Sequence, residues 1–267
     1  RAHILPYFDD LQIRLCDVDG EALQTYINVK AKFGRSDGHG GLSAVSLRQH
    51  KNVLNQTLKL AQRDGLIQTN PADLVVMPHA AQFTGTFYTE AQMRDLLTAV
   101  KNERLYPIIY VTALYGLRRS EVLGLRWSAV DFEQKTIEIN HKLVTCREDG
   151  KTITVGEDEL KNKSSHRVLP LIPQVEQVLL QAREQQELYR KKFRRSWCSK
   201  WEGYICLLPD GEIITPNFLT ARFGRLLKKH NLPPIRFHDL RHTCASLLVQ
   251  AGVSMKQVQL WMGHSDF

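Results

Sequence analysis

Residues 107–121 read Pro107-Ile108-Ile109-Tyr110-Val111-Thr112-Ala113-Leu114-Tyr115-Gly116-Leu117-Arg118-Arg119-Ser120-Glu121, and the fold turns on how this stretch divides. Proline suits the first turn of a helix, where its missing N–H costs nothing. The run from Ile108 to Tyr115 is almost wholly apolar, so the helix it forms is buried on most sides and not along a single stripe. Gly116 can take the left-handed conformation that ends a helix, and Ser120 can cap a second helix over Glu121–Leu125. Arg118 then falls in the elbow between two helices. A charge at the edge of a buried helix needs a partner. A salt bridge to Glu121 would provide one and a bound anion another, and neither excludes the other.

Working towards the N-terminus, Thr89 and Gln92 form the pattern of a capping box for a helix reaching about Val100. Before it, Pro78 and Gly85 break a stretch without helical period, which reads as a linker over 81–88. Residues 1–80 then make a small helical domain. From Ser43 to Asp64, Leu47, Leu54, Leu58 and Ala61 recur at helical spacing, while Arg48, Lys51, Asn55 and Lys59 line a separate flank. That flank either faces phosphates or is a solvated surface.

Towards the C-terminus, residues 136–144 alternate, with Ile137, Ile139, His141 and Leu143 on one face, as a strand requires. A turn at Glu148-Asp149-Gly150-Lys151 leads into a second strand, Thr152 to Val155, and a third is expected over Arg167–Leu171. Helices follow at about 173–195, at 216–230 with Thr215 as cap, at 238–251 and at 254–262, the last two closed by Gly252 and Gly263. The expected fold class is mainly α with a small antiparallel β-sheet, as a helical domain followed by an α+β domain over 89–267.

Composition narrows the function. The 267 residues carry 36 Lys+Arg against 28 Asp+Glu, a net +8. Residues 1–84 hold only +1 of this and residues 85–267 hold +7. A pI near 9.3 raises nucleic acid as a partner. No apolar run approaches the ~18 residues of a membrane span. Five cysteines, an odd number without a C-x-x-C pair, suggest a reducing compartment and buried or inert thiols. The opening Arg1, without methionine or signal pattern, reads as a trimmed or internal start.

The polar residues that could carry chemistry gather in Phe237-His238-Asp239-Leu240-Arg241-His242-Thr243. On a helix His238 shares a face with Arg241 and His242. His-x-x-x-His is a metal-ligand spacing, but the zinc hydrolase pattern requires Glu where this chain has Asp239, and Arg241 would repel a divalent cation. An anion site of one imidazole and one guanidinium fits better, because Arg matches phosphate geometry. Such a site predicts further cations nearby. Arg118 is one candidate, and Lys161 and Lys163 on a polar hairpin tip are others, with solvation of the tip as the alternative. His264, just past Gly263, is either part of such a site or a histidine facing a helix dipole. Arg190-Lys191-Lys192-Phe193-Arg194-Arg195 offers a basic stretch, with Lys192 and Arg195 the candidates for DNA contact and a solvated helix end the alternative.

Four motifs in this order, Leu114 to Leu125, the Lys161 hairpin ending in Arg167-Val168-Leu169-Pro170-Leu171, His238-Asp239-Leu240-Arg241-His242-Thr243, and Met262-Gly263-His264-Ser265, resemble the tyrosine recombinases from about Tyr88 to the last residue. The segment Leu47 to Pro71 resembles the core-binding domain of integrases from phages and conjugative transposons. The resemblance implies a cofactor-free, metal-free transesterification on double-stranded DNA through a 3′-phosphotyrosine. It implies that Arg118 and Arg241 bind the scissile phosphate, that Lys161 protonates the leaving 5′-oxygen with Lys163 as the alternative, that His238 moves a proton near the nucleophile, that His264 hydrogen-bonds the phosphate, and that Glu121 orients the site.

In that family the nucleophilic tyrosine lies a short way past the Gly-His motif, whereas this chain stops at Phe267 and its eight tyrosines all precede the motif. The nucleophile is therefore expected beyond Phe267 or on a partner chain, and this chain alone is expected to form no covalent intermediate. The resemblance further implies two domains clamping duplex DNA, a homo-tetramer on synapsed DNA, integration and excision of a mobile element, and a bacterial cytoplasmic, nucleoid-associated location without membrane contact. The alternatives are a host recombinase that resolves chromosome or plasmid dimers, a DNA-binding module without turnover and, more distantly, a metal hydrolase.

Overall fold

The computed structural model describes residues 2–79, 87–149, 151–158 and 166–263. The chain divides into two compact units, Arg1–Thr84 and Gly85–Phe267. Most of the expected linker, and the positions of Lys161, Lys163 and His264, lie outside the described residues.

In the first unit three helices, α1 (Ile4–Leu11), α2 (Gly20–Phe33) and α3 (Ala44–Arg63), enclose a small core. Asp19 and Ser43 cap α2 and α3 by accepting from the N–H groups of Ala22 and Ser46, which supplies partners that the first helical turn cannot provide itself. Leu23, Tyr26 and Ile27 of α2 meet Leu47 and Leu58 of α3, with Ala72 and Val75 closing the base. The basic flank of α3 is less uniform than its spacing suggests. Lys51 Nζ donates to the Val75 carbonyl at 2.8 Å, and Asn55 accepts from Asn70 at 2.5 Å, so both side chains tie α3 to the segment after it. Arg48 and Lys59 are exposed.

The second unit is built around α5 (Tyr106–Tyr115), preceded by α4 (Glu90–Ala99) with the expected Thr89–Gln92 capping box. Ile108, Ile109, Val111, Thr112, Ala113 and Tyr115 of α5 are buried, at about 1.5–3 kcal/mol for each fully buried aliphatic or aromatic side chain. Gly116 ends the helix at φ 61°, as its position predicts. The next helix, α6, runs from Arg119 to Leu123, and its cap differs from the expected Ser120. Arg118 occupies the cap position, and the Glu121 carboxylate reaches back to accept from the Arg118 N–H at 3.0 Å. A carboxylate at the third helical position satisfies an orphan donor at the helix start, so the helix begins two residues earlier.

Two small sheets replace the single expected one. β1 (Val130–Asp131), β2 (Thr136–Ile139) and β5 (Arg167–Pro170) form an antiparallel sheet in the order β1-β2-β5, and β3 (Lys142–Glu148) pairs with β4 (Lys151–Glu157) in a separate two-stranded sheet. The alternation over 136–144 correctly marks the inward face, with Ile137, Ile139, His141 and Leu143 all buried, but the strand breaks at Asn140 and His141. The chain changes sheets at that point. The helix expected over 173–195 is α7 (Pro173–Phe193), which ends two residues early because Arg194 adopts φ 48°. Helices α8 (Pro216–Lys229), α9 (Asp239–Gln250) and α10 (Met255–Met262) complete the unit.

The thiols only partly match expectation. Cys206 and Cys244 are buried and burial pushes each up to about 12, whereas Cys16 and Cys146 are exposed. Among the described residues no helix is long and apolar enough to cross a membrane.

Candidate functional site

Helix α9 is fixed at its start by residues on both sides of His238. Phe237 is buried edge-on against Phe223, with ring centroids 5.4 Å apart, and Leu240 is fully buried. Asp239 accepts from the Arg236 backbone N–H at 2.8 Å and from its guanidinium at 2.7 Å. Burial pushes the Asp239 carboxyl up, but the Arg236 contacts outweigh it and hold the group below its ordinary range. Thr243 donates to the Asp239 carbonyl at 2.8 Å and accepts from the Tyr88 N–H at 3.1 Å. These contacts set the rotation of α9 about its axis and turn Arg241 inwards.

Arg241 is 2% exposed. It donates through Nη1 to the Gly116 carbonyl at 2.5 Å and through Nη2 to the Met262 carbonyl at 2.7 Å. Two neighbours do the same to the adjoining carbonyls. Arg118 Nη2 donates to Gly263 at 2.9 Å, and Arg167 Nε donates to Trp261 at 2.9 Å. Three guanidinium groups therefore hold the consecutive carbonyls of residues 261–263, where α10 ends and leaves backbone acceptors without helical partners. The negative end of the helix dipole also favours cations there.

One carboxylate balances them. Glu121, 2% exposed, accepts from Arg118 Nη1 at 2.6 Å, from Arg167 Nη2 at 3.0 Å and from the Arg118 N–H. Burial alone would raise its pKa, yet Arg167 and Arg118 more than offset this and hold it below the ordinary glutamate range. Among the described residues the cluster thus carries three fixed positive charges against one negative. Its excess shows in Arg241, whose pKa falls to about 10 through burial first and then through the charge of Arg118. Arg118 has the open face, with its side chain 35% exposed. A buried cluster of excess positive charge with one face open is suited to an anion with several oxygens.

His238 and His242 lie beside the cluster, their rings edge-on with centroids 5.0 Å apart. Both side chains reach the surface. Desolvation, followed by the nearby His242 and Arg241, lowers the pKa of His238, so its imidazole is neutral near pH 7 and can accept a proton.

The structure therefore brings Arg118, Glu121, His238 and Arg241 together. It shows the Arg118–Glu121 salt bridge that the sequence leaves as one of two readings. Arg167, the third guanidinium of the cluster, has no role assigned from the sequence, because it reads there as the first residue of a strand; a charged residue on the inward side of β5 is the available signal. Four of the chain's eight tyrosines have their hydroxyl groups engaged elsewhere. Tyr115 Oη donates to the Pro170 carbonyl and accepts from the Ile172 N–H, Tyr88 Oη donates to Pro233, and Tyr204 and Tyr26 bond to His141 and His50. Burial pushes Tyr115 and Tyr26 up to about 12. Lys192 and Arg195 are exposed at the end of α7.

Known proteins share this architecture. A XerC-like tyrosine recombinase of Caldanaerobacter subterraneus is 27% identical over 85% of this chain and 61% of its own length. A transposase from transposon Tn916 of Enterococcus faecalis is 27% identical over 85% of this chain and 57% of its own. The chain thus spans about three fifths of the length of these curated relatives. Among solved structures, the Tn1549 transposon integrase in complex with a circular intermediate DNA superposes with a TM-score of 0.74 at 25% identity, covering 94% of this chain and 79% of that one. The model of the phage integrase family matches residues 86–267, and the chain belongs to that family.

Proposed function

We propose that this chain is the core of a conjugative-transposon type of tyrosine recombinase, which cuts and rejoins double-stranded DNA to integrate and excise a mobile element. The observation that carries this reading is the cluster of three arginines around one glutamate, fixed on the carbonyls of 261–263 and open at Arg118. The relatives with the same architecture include recombinases and an integrase held on DNA.

In the reaction, a tyrosine hydroxyl attacks the scissile phosphorus and the 5′-oxygen leaves, so one phosphodiester is exchanged for a 3′-phosphotyrosine. The freed 5′-hydroxyl of a partner strand then reverses the step. The bond energy stays in the covalent intermediate, and the reaction as proposed needs no cofactor. Arg118 and Arg241 bind the non-bridging oxygens and stabilise charge that grows in the pentacoordinate transition state. Because Arg118 is already held by Glu121 and the Gly263 carbonyl, and Arg241 by the Gly116 and Met262 carbonyls, little reorganisation is needed when the phosphate arrives. His238 accepts or returns the tyrosine proton, Lys161 protonates the leaving oxygen with Lys163 as alternative, and His264 hydrogen-bonds the phosphate. The nucleophile comes from residues following Phe267 or from a partner chain. Arg48 and Lys59, with Lys192 and Arg195, contact the DNA backbone, and four copies assemble on two duplexes.

The test is a nicked duplex that traps the cleaved strand, incubated with the polypeptide continued past Phe267 and resolved on a denaturing gel. A protein–DNA adduct mapping to a tyrosine outside the present eight is expected. Specific binding without any adduct would instead support a binding module without turnover, a reading favoured by the engagement of Tyr26, Tyr88, Tyr115 and Tyr204 in other bonds.

A further inference from the structure

Among the described residues two acceptors fix the guanidinium of Arg118: Glu121 Oε1, which takes Nη1 at 2.6 Å, and the Gly263 carbonyl, which takes Nη2 at 2.9 Å. Neither is rigid by itself. A carboxylate turns readily about its last bond, where the torsion is broad, and a helix end frays unless its carbonyls find partners. Arg167 holds both. Its Nη2 donates to Glu121 Oε2 at 3.0 Å, and its Nε donates at 2.9 Å to the Trp261 carbonyl, in the same last turn of α10 that leads to Gly263. One side chain therefore steadies the carboxylate directly and the end of α10 through its last turn.

Arg167 is itself firmly mounted. Its side chain is 7% exposed. It opens β5 opposite Ile139 of β2, and the buried Leu169 follows opposite Ile137. The far end of β5 is tied to α5, because Tyr115 Oη donates to the Pro170 carbonyl at 2.8 Å and accepts from the Ile172 N–H at 3.0 Å. The Tyr115 and Trp261 rings lie 5.6 Å apart between centroids, so β5 and α10 share α5 as a support. Charge adds to the geometry. Burial pushes the Glu121 carboxyl up, and among the contacts that outweigh it those of Arg167 act most strongly. A guanidinium suits this double task, since it presents its donors in a fixed plane whereas an ammonium is a point charge.

We propose that Arg167 is a positioning residue for the phosphate-binding Arg118: it holds both anchors of that guanidinium, Glu121 and the end of α10, without itself contacting the phosphate. This rests on the recombinase reading above.

The test measures single-turnover cleavage of a nicked duplex, at saturating concentration, by the polypeptide continued past Phe267 in four forms: unmodified, Arg118→Ala, Arg167→Ala and the double variant. Arg167→Ala should slow cleavage by about ten- to a hundredfold, the scale of a misplaced catalytic group, with DNA affinity nearly unchanged. In the Arg118→Ala background the same replacement should cost little more, because the group it positions is already gone. Arg167→Lys keeps a charge beside Glu121 but cannot serve both acceptors from one fixed fork, so it should recover part of the rate. Thermal melting checks that each variant folds, and where Arg167→Ala does not, Arg167→Lys replaces it in the comparison. A full further loss in the Arg118→Ala background, as an independent phosphate contact or a general loosening of the fold would give, overturns the proposal, and so does an undiminished rate for either Arg167 variant. An unmodified protein that binds the duplex without cleaving it, or that loses nothing with Arg118→Ala, would instead overturn the recombinase reading, and the role of Arg167 with it.

Discussion

Two groups of arginines in the second unit show how the same side chain takes opposite roles according to burial. Arg118, Arg167 and Arg241 are embedded between α5, α6 and α10, each donating to a backbone carbonyl, with Glu121 as shared counter-charge. Arg194 and Arg195 at the end of α7 are exposed. The first group is immobile and expensive to disturb, because removing one partner of a buried ion pair strands the other. On the proposed function the second, hydrated group would follow a phosphate backbone and add affinity that salt can remove, so that precision at one phosphate and adhesion to many would be separated within one unit.

The largest effect should come from breaking the buried group at its centre. Glu121→Ala leaves Arg118 and Arg167 without their carboxylate and is expected to cost about 3–5 kcal/mol in denaturant unfolding, whereas Arg195→Ala should stay within about 0.5 kcal/mol. A comparable loss from both would erase the distinction.

Gly116→Ala comes next. The added methyl would meet the Met262 sulphur and approach Cys244 Sγ to 3.3 Å, at a residue whose φ is 61°. A loss of about 1–3 kcal/mol is expected from this overpacking. Because Met262 carries a carbonyl that Arg241 holds, DNA cleavage should fall as well. An unchanged unfolding midpoint would mean that the helix ends are not packed as described.

Acid should separate the groups in a third way. The Glu121 carboxyl is held below its unfolded value of about 4.3, so its contribution to stability is present above that value and is lost as pH falls through the folded-state pKa. Unfolding free energy measured from pH 6 downwards should drop more steeply for the unmodified chain than for Glu121→Gln. Parallel curves would remove Glu121 from the acid response.

The smallest effect on the fold belongs to the exposed group. Replacing Lys192 and Arg195 together by alanine should leave stability unchanged but reduce the slope of log affinity against log salt by up to about 1.8, near 0.9 for each phosphate that is no longer neutralised. A slope identical to that of the unmodified chain would place both residues off the DNA.

How much of this is legible from the residues alone depends on whether the signal is local. The caps at Thr89, Thr215 and Gly116, and the burial of α5, follow from neighbouring residues, and the structure has them where the spacing puts them. The start of α6 differs from its expected place because Glu121 competes with Ser120 for the orphan N–H groups, and the tertiary pull of Arg167 on Glu121 favours the earlier start. Helical spacing groups Lys51 with Arg48 and Lys59, yet its partner, the Val75 carbonyl, lies in a later segment that periodicity does not reach. Arg118 and Arg241 are recognisable from their motifs. That they and Arg167 grip three consecutive carbonyls of α10 depends on contacts across 21 to 145 positions, which no local pattern encodes.

On the proposed function, the fixed guanidinium cluster neutralises the charge of one scissile phosphate. The most direct measurement is the loss of cleavage rate caused by Arg118→Ala on an ordinary phosphodiester, set against the loss on a methylphosphonate that lacks one negative oxygen at the same position. A fall of about 10²–10³ is expected on the phosphate, the scale of one lost transition-state donor, with a much smaller fall on the neutral analogue. Equal losses on the two substrates would contradict it.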